Sequence, residues 1–396
     1  MKTAILVGDG MGDYPLDALG GRTVLQAAAL PNIRRIAAAG RVRMVKTVPD
    51  GMNPGSDVAN MSLLGYDPSM NYSGRAPIEA AGAGIPLGPS DTAYRCNLVT
   101  VADGRMDDYS AGHIATADAA ELIRAVDAAL GEPGLRFHPG VSYRHLLVWS
   151  DGPVNVRLQP PHDIADRAVA DYPPSGDRAD RVAALMEASK AVLADHPVNV
   201  RRRAEGRKPA TQIWLWGQGR SMGMKTYGEL YGLRGGVVSA VDLVRGLGRL
   251  AGLDAPKIPG ATGFLDTNAE GKVEAGRRIL REGDFLYLHL EAPDECGHVG
   301  DARRKVQACE LFDERIVGPL WRTLEAGGER YRLLIAMDHR TPCAIRGHTS
   351  EPVPLARLDG PVGAGATREA SFDEFVNGGR SEAMAYDWIR ETLLDR

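Results

Sequence analysis

Strand-forming apolar residues fill positions 3–8 and give way at once to the turn GDGMGD. The following segment ALPNIRRIAAAG (29–40) carries its apolar residues at helical spacing and closes on Gly40, a residue type suited to a helix C-terminus. VRMVKTV then reads as a second strand. This strand-helix-strand alternation predicts a parallel sheet with crossover helices. The rhythm returns late in the chain, with QIWLWG (212–217), GGVVSAVDLVRGLGRLAGL, the strand DFLYLHLE, a helix over 303–325 and the strand YRLLIAM. Between about 90 and 208 the texture changes to strands such as RCNLVTV and RHLLVWS, helices over 116–130 and 178–195, and the turn-rich joins LQPPHD and DYPPSGD. The expected architecture is an α/β core built from residues 1–89 and 209–396, its sheet mostly parallel and flanked by helices. Residues 90–208 are expected to form an inserted α+β domain, with the glycine-rich joins as hinges. A chain of 396 residues exceeds what one hydrophobic core usually serves.

Three aspartates stand where apolar runs end: Asp9 after AILVG, Asp294 just past DFLYLHLE, and Asp338 after YRLLIAM. In open α/β sheets, functional groups collect beyond the carboxyl ends of parallel strands, so acids far apart in sequence can converge there. His298 follows Asp294 by four residues, His339 adjoins Asp338, and His348 lies ten residues beyond Asp338. Mixed carboxylate and imidazole donors suit Zn, Mn, Fe or Co better than Ca or Mg alone. Two such ions about 4 Å apart can clamp a phosphoryl group.

Pro54 and Gly55 break the chain before SDVANMSLLG, which places Ser56 at a helix start, where backbone N–H groups favour an incoming anion. Ser56 is the candidate nucleophile, since a nearby cation supplies the activation that a hydroxyl lacks. The plainer reading is that Ser56 only caps its helix. Arg144, Arg202, Arg203 and Lys225 are candidate anion contacts, because guanidinium forks suit phosphate and carboxylate. His113 and the pair His162-Asp163 sit in loop-like parts of the insertion.

Composition narrows the field further. A hydrophobic fraction of 44% with 25% charged residues is that of an ordinary globular protein. A net charge of -4 and dispersed arginines give no basic stripe for nucleic acid. No apolar run approaches the roughly 20 residues of a membrane span, and the first residues read as a strand, so a cytoplasmic protein is expected. Cys96, Cys296, Cys309 and Cys343 form no CxxC pair and read as small buried apolar residues; a zinc site on Cys296 and Cys309 is the alternative. GQGRSMG and EGK have the wrong spacing for a nucleotide loop, and neither HExxH nor GxSxG occurs. No coiled-coil pattern or long apolar run marks an interface, which leaves a homo-oligomer open.

The segments DGMGD, PGSDVANMSLLGYDP, PGATGFLDTN, EAPDECGH, and DHRTP followed by GHTSEPVPL resemble the cofactor-independent phosphoglycerate mutases over essentially the whole chain. The likeness is greatest to the shorter, archaeal-type branch of that family, within the alkaline phosphatase superfamily. The resemblance implies an alkaline phosphatase-like core with an inserted substrate-binding lid, and two divalent metals, Mn or Zn, with Co or Mg as alternatives. One metal would be held by Asp294, His298 and His348, and the other by Asp9, Ser56, Asp338 and His339. It implies no bisphosphoglycerate cofactor. Ser56 would take the phosphate of 3-phosphoglycerate and return it to the 2-hydroxyl of glycerate held in a closed site, where exclusion of water protects the phosphoserine. His113, Arg144, Arg203 and Lys225 would grip the substrate, with His162 and Asp163 beside them. Pro293 and Arg340 depart from the mutase pattern, and EAPDECGH and WLWGQG are similar to a sister group proposed as homoserine kinases. Arg340, beside two expected ligands, is therefore a candidate substrate contact.

Overall fold

The computed structural model describes residues 1–362 and 370–395. In chain order its strands are β1 (Lys2–Gly8), β2 (Arg41–Lys46), β3 (Asp91–Ala102), β4 (Arg105–Asp108), β5 (Leu135–Val141), β6 (Arg144–Ser150) and β7 (Val156–Arg157). They continue with β8 (Ser175–Gly176), β9 (Gln212–Arg220), β10 (Gly235–Val238), β11 (Phe285–Leu290), β12 (Tyr331–Ala336), β13 (Val353–Gly360) and β14 (Ala383–Met384). The chain divides into two compact units, one of residues 1–72 and 224–396 and the other of residues 73–223.

The first unit holds a seven-stranded sheet of order β10-β11-β1-β12-β13-β2-β14. β10, β11, β1 and β12 are mutually parallel, whereas β13 runs antiparallel to both its neighbours. β1 and β2 therefore point the same way, as expected, but two strands separate them. β11 and β12 are buried along their whole length, which is why they read as unbroken apolar runs rather than alternating ones. Because β11, β1 and β12 are sheet neighbours with one polarity, the segments that follow them emerge side by side.

Local chemistry explains two joins. Gly40 does end the helix Pro31–Ala39, but its φ is −111°, so positive φ is not the reason for glycine. A Cβ there would lie 2.1 Å from the Arg357 carbonyl oxygen. The expected helix over 303–325 forms as Ala302–Leu311, a π-helical turn Phe312–Val317, and Gly318–Gly327. That turn presents Asp313 to the start of Pro31–Ala39, accepting from Ile33 N at 2.7 Å and Asn32 N at 3.2 Å, where the helix has no side-chain cap of its own.

The second unit is an antiparallel sheet, β4-β3-β6-β5, with β9 paired to β3. This corrects the expectation that residues 212–217 return to the α/β core. Ile213, Trp214, Leu215 and Trp216 are all buried in the second unit's own core, and a strand covered on both faces carries no periodicity to tell one sheet from another. The helix Arg75–Ala83 packs on β3 and β9, which moves the insertion's start ahead of residue 90. No helix among the described residues is long and apolar enough to cross a membrane.

Candidate functional site

Asp9 follows β1 directly, with its backbone N–H bonded to Leu290 O at 2.9 Å, so the ends of β1 and β11 are pinned together. Asp338 follows β12 by two residues, and Asp294 sits in the helix Ala292–Val299 after β11. Asp338 Oδ1 accepts from Gly10 N at 3.0 Å and His339 N at 2.9 Å, while Oδ2 accepts from Asn60 Nδ2 at 2.9 Å. Gly10 has φ +61°, and a Cβ there would stand 2.7 Å from Asp294 Oδ1 and 2.8 Å from Asp294 Cα. Only glycine allows the β1 loop to approach Asp294 this closely.

Two sets of side chains offer ligand atoms all within 4.8 Å of one another: Asp9, Asp338 and His339, and Asp294, His339 and His348. His339 belongs to both. Its Nε2 is 3.6 Å from Asp9 Oδ1, 3.4 Å from Asp338 Oδ2 and 3.2 Å from Ser56 Oγ. His298 Nε2 is 3.2 Å from Asp294 Oδ2, and His348 Nε2 is 3.4 Å from Asp294 Oδ1. The other ring nitrogens face outward: Nδ1 of His298 lies 3.1 Å from Arg346 O, that of His348 3.4 Å from Pro54 O, and that of His339 3.2 Å from Thr341 Oγ1. Anchored Nδ1 atoms with converging Nε2 atoms are the arrangement in which imidazoles bind metal. Thr341 Oγ1 also donates to Asp294 Oδ1.

The electrostatics fit a cation. Burial first, and then the charges of Asp338, Asp294 and Glu291, push the Asp9 carboxyl well above its usual range. Burial opposes ionisation of Asp294 too, yet hydrogen bonds from His298 and His348 hold it well below the usual range. The hydrogen bond with Asp294 raises His298 to about 9, and burial lowers His339. Asp9 Oδ1 is buried with no hydrogen-bond partner. Crowded carboxylates and an orphaned carboxylate oxygen are costly unless positive charge joins them.

Ser56 is the first residue of the helix Ser56–Leu63, and Gly55 occupies the cap position. Helix capping therefore does not account for Ser56. Asn60, one turn along the same helix, donates from Nδ2 to Ser56 O at 2.9 Å as well as to Asp338 Oδ2, and its Oδ1 accepts from Tyr287 Oη at 2.5 Å. Asn60, Tyr287 and Thr341 did not emerge from the sequence reading, although position i+4 from Ser56 puts Asn60 on the same helix face. His289 was also missed. It lies inside β11, fully buried, with Nε2 3.1 Å from Asp9 Oδ2, and burial lowers its pKa to about 4.

The other candidates separate into groups. In the second unit, Arg144 lies over Tyr143 at 5.5 Å, and Tyr143 meets His113 and Tyr109 edge-on at 6.3 and 5.9 Å. His162 packs on Tyr109 at 6.1 Å and Trp216 at 5.1 Å, and Arg95 covers Trp216 at 4.0 Å. His113, Arg144 and His162 thus share one aromatic cluster, joined by Arg95. Asp163 lies 3.6 Å from His162 Nε2 and accepts from Gln159. Arg203 donates to Ala194 O at 2.7 Å. Arg202 is buried and holds Lys208 O and Ala111 O, which makes it a structural residue. In the first unit, Lys225 is exposed. Arg340 does not reach out as a substrate contact would: it is 8% exposed, and its Nε and Nη2 donate to Pro352 O at 3.2 and 2.7 Å. Its backbone bridges Met11 and Thr349, so it ties the Asp9 loop to the His348 loop. Pro293 occupies the first turn of the helix Ala292–Val299, a position suited to proline. The four cysteines are buried free thiols, and no group of ligand atoms among the described residues includes one.

A family model described as 2,3-bisphosphoglycerate-independent phosphoglycerate mutase matches residues 37–199. The chain is 52% identical to the 2,3-bisphosphoglycerate-independent phosphoglycerate mutase of Methanothrix thermoacetophila, over 98% of this chain and 99% of the relative. It is 47% identical to the probable enzyme of that name from Geobacter sulfurreducens, over the full length of both. Among solved structures, the cofactor-independent phosphoglycerate mutase of Thermoplasma acidophilum superposes with a TM-score of 0.68 at 26% identity, covering 100% of this chain and 99% of that one. A protein from Pyrococcus horikoshii gives 0.82 at 28% identity, covering 100% and 97%. The chain belongs to the 2,3-bisphosphoglycerate-independent phosphoglycerate mutase family.

Proposed function

We propose that this protein interconverts 3- and 2-phosphoglycerate without bisphosphoglycerate, with Ser56 carrying the phosphoryl group between the two hydroxyls. The observation that carries the reading is Ser56 Oγ, at a helix start, 3.2 Å from the Nε2 of a histidine shared by two carboxylate-imidazole sets. Asp294, His298 and His348 would hold one divalent metal, and Asp9, Ser56, Asp338 and His339 the other, with Mn or Zn suited to these donors. When bound, the metals supply Lewis-acid charge that favours an ionised serine and the developing charge on phosphate.

The chain's own residues do the rest. Val58 N at the start of the helix Ser56–Leu63 donates to Asp57 Oδ1 at 3.0 Å, which leaves the N–H groups of Ser56 and Asp57 as the helix-start donors for phosphate oxygens. Asn60 holds the Ser56 carbonyl and Asp338 together, fixing the nucleophile against the acid. Ser56 gives up its hydroxyl proton as it attacks phosphorus, the P–O bond to glycerate breaks, and the departing glycerate oxygen takes up one proton. The second hydroxyl then gives up its proton as it attacks the phosphoserine, the bond from phosphorus to Ser56 Oγ breaks, and Oγ takes up a proton, which restores the serine. Within the second unit, the cluster of His113, Arg144 and His162 offers groups suited to a small carboxylate, Arg144 as a guanidinium fork.

The homoserine kinase alternative rested on the likeness of EAPDECGH and WLWGQG to that sister group and on the departures at Pro293 and Arg340. Both residues have conformational roles, one in a helix start and the other on the Pro352 carbonyl. Purified protein with Mn2+ and 3-phosphoglycerate is expected to form 2-phosphoglycerate with no bisphosphoglycerate added. Phosphohomoserine from ATP and homoserine, with no mutase turnover, would reverse the assignment.

A further inference from the structure

We propose that Ser239 and His289 form a relay that fixes Asp9 as a metal ligand: Ser239 donates its proton to His289 Nδ1, so that Nε2–H faces Asp9 Oδ2 and Oδ1 is left for a cation. The inference rests on the two-metal reading above and extends it to two residues outside the ligand set.

Ser239 directly follows β10, the neighbour of β11, and is 1% exposed. Its Oγ accepts from Val241 N at 3.0 Å and lies 3.3 Å from His289 Nδ1. A neutral imidazole has one N–H and one lone pair, and a hydroxyl can turn its proton to whichever nitrogen needs it. His289 Nε2 faces Asp9 Oδ2 at 3.1 Å. A lone pair at Nε2 would oppose a carboxylate oxygen across a dry gap, whereas an N–H there makes a charge-assisted bond. Ser239 is placed to satisfy the other nitrogen, which selects that tautomer. Nε2 makes no hydrogen bond in this structure despite the 3.1 Å approach, so the proposed bond requires the ring to turn about its broad terminal torsion.

The opposite side of Asp9 completes the argument. Oδ1 is buried without a partner and points toward His339, 3.6 Å away. Its two oxygens therefore have different surroundings, one beside a donor and the other beside the ligand shared by both sets. β11 supports the neighbouring acid in parallel: Tyr287, two residues from His289 and on the same strand face, grips Asn60, which holds Asp338. His289 and Ser239 are positioning residues, because neither touches the reacting atoms.

Chelator-treated full-length protein, titrated with Mn2+ by electron paramagnetic resonance, tests the relay. The unaltered protein is expected to bind two Mn2+. His289→Leu is expected to weaken one Mn2+ by about 10- to 100-fold and the other by less than about threefold. His289→Gln, which keeps an N–H donor, should recover most of the loss. Ser239→Ala should weaken the same Mn2+ by a smaller factor. A purely structural role would lower the melting temperature and leave Mn2+ affinity unchanged. Absence of Mn2+ binding to the unaltered protein overturns the metal reading itself. Normal binding by His289→Leu overturns the relay alone, and if that variant does not fold, unchanged affinity in Ser239→Ala overturns it.

Discussion

His298 and His348 place their Nε2 atoms 3.0 Å apart while their Nδ1 atoms face the carbonyls of Arg346 and Pro54. With the Nδ1 atoms so anchored, the converging Nε2 atoms and Asp294 need positive charge between them: a proton supplies it in the hydrogen bond that raises the His298 pKa, and a metal cation would supply it in its place. Asp294→Asn is expected to lower kcat/KM by at least about 100-fold, roughly 3 kcal/mol of transition-state stabilisation. Chelation should abolish turnover in the unaltered protein, and Mn2+ should restore it. Metal analysis is expected to show two ions in the parent and one in the Asn variant.

Asn60 joins the nucleophile's helix to Asp338 and receives the Tyr287 hydroxyl. Asn60→Leu should cut kcat by about 10- to 100-fold with little change in KM, the signature of lost positioning rather than lost binding. It should also cost about 1 to 3 kcal/mol of stability, because the buried Tyr287 hydroxyl loses its acceptor. Steady-state kinetics and urea denaturation read the two effects separately.

Arg340 clamps the Pro352 carbonyl between the Asp9 and His348 loops. Arg340→Met should destabilise by about 1 to 3 kcal/mol by leaving that carbonyl unpaired. Its KM for 3-phosphoglycerate should change by less than about threefold. A tenfold rise in KM at unchanged stability would restore Arg340 to the substrate site.

Gly10 combines φ +61° with close approach to Asp294. Gly10→Ala should cost about 1 to 3 kcal/mol through backbone strain alone, and the displaced Asp294 should lower activity beyond what the fall in stability explains. Comparing activity per folded molecule well below the melting temperature separates these contributions.

His145, in the second unit, is lowered by burial to about 3, and its Nδ1 accepts from Gly140 N at 2.9 Å. A histidine whose folded pKa is depressed binds a proton more readily when unfolded. Stability should therefore fall as pH drops from about 6.5 toward 3, by up to on the order of 4 kcal/mol. His145→Asn, which keeps an acceptor for Gly140 but does not titrate, should flatten that part of the pH-stability curve in chemical denaturation.

Much of this centre was legible in the sequence because its parts follow local rules. An acid at the end of a buried parallel strand, and a serine after Pro-Gly at a helix start, identify themselves within a few residues. Their convergence was also legible, since Asp9, Asp294 and Asp338 follow strands of one polarity. What stayed hidden depends on sheet order and register. His289 looks like any polar residue in an apolar run until β10 and β1 are seen on either side of β11. The residues at 212–217 read as a core strand because Trp214 and Trp216 on one face and Ile213 and Leu215 on the other are all buried, and burial of that kind does not specify which sheet the strand joins. Arg340 looked like a substrate contact because its neighbours are candidate ligands, while its direction is set by Pro352, twelve residues away.

The central claim is that Ser56 carries the phosphoryl group. Rapid quenching of the Mn2+-loaded protein with [32P]3-phosphoglycerate, followed by peptide mapping, tests it directly. Label is predicted on the peptide containing Ser56 within the first turnover, and none on the Ser56→Ala variant, which should also lose turnover by at least about a thousandfold. Full turnover by Ser56→Ala would contradict the account, as would label confined to another residue during productive turnover.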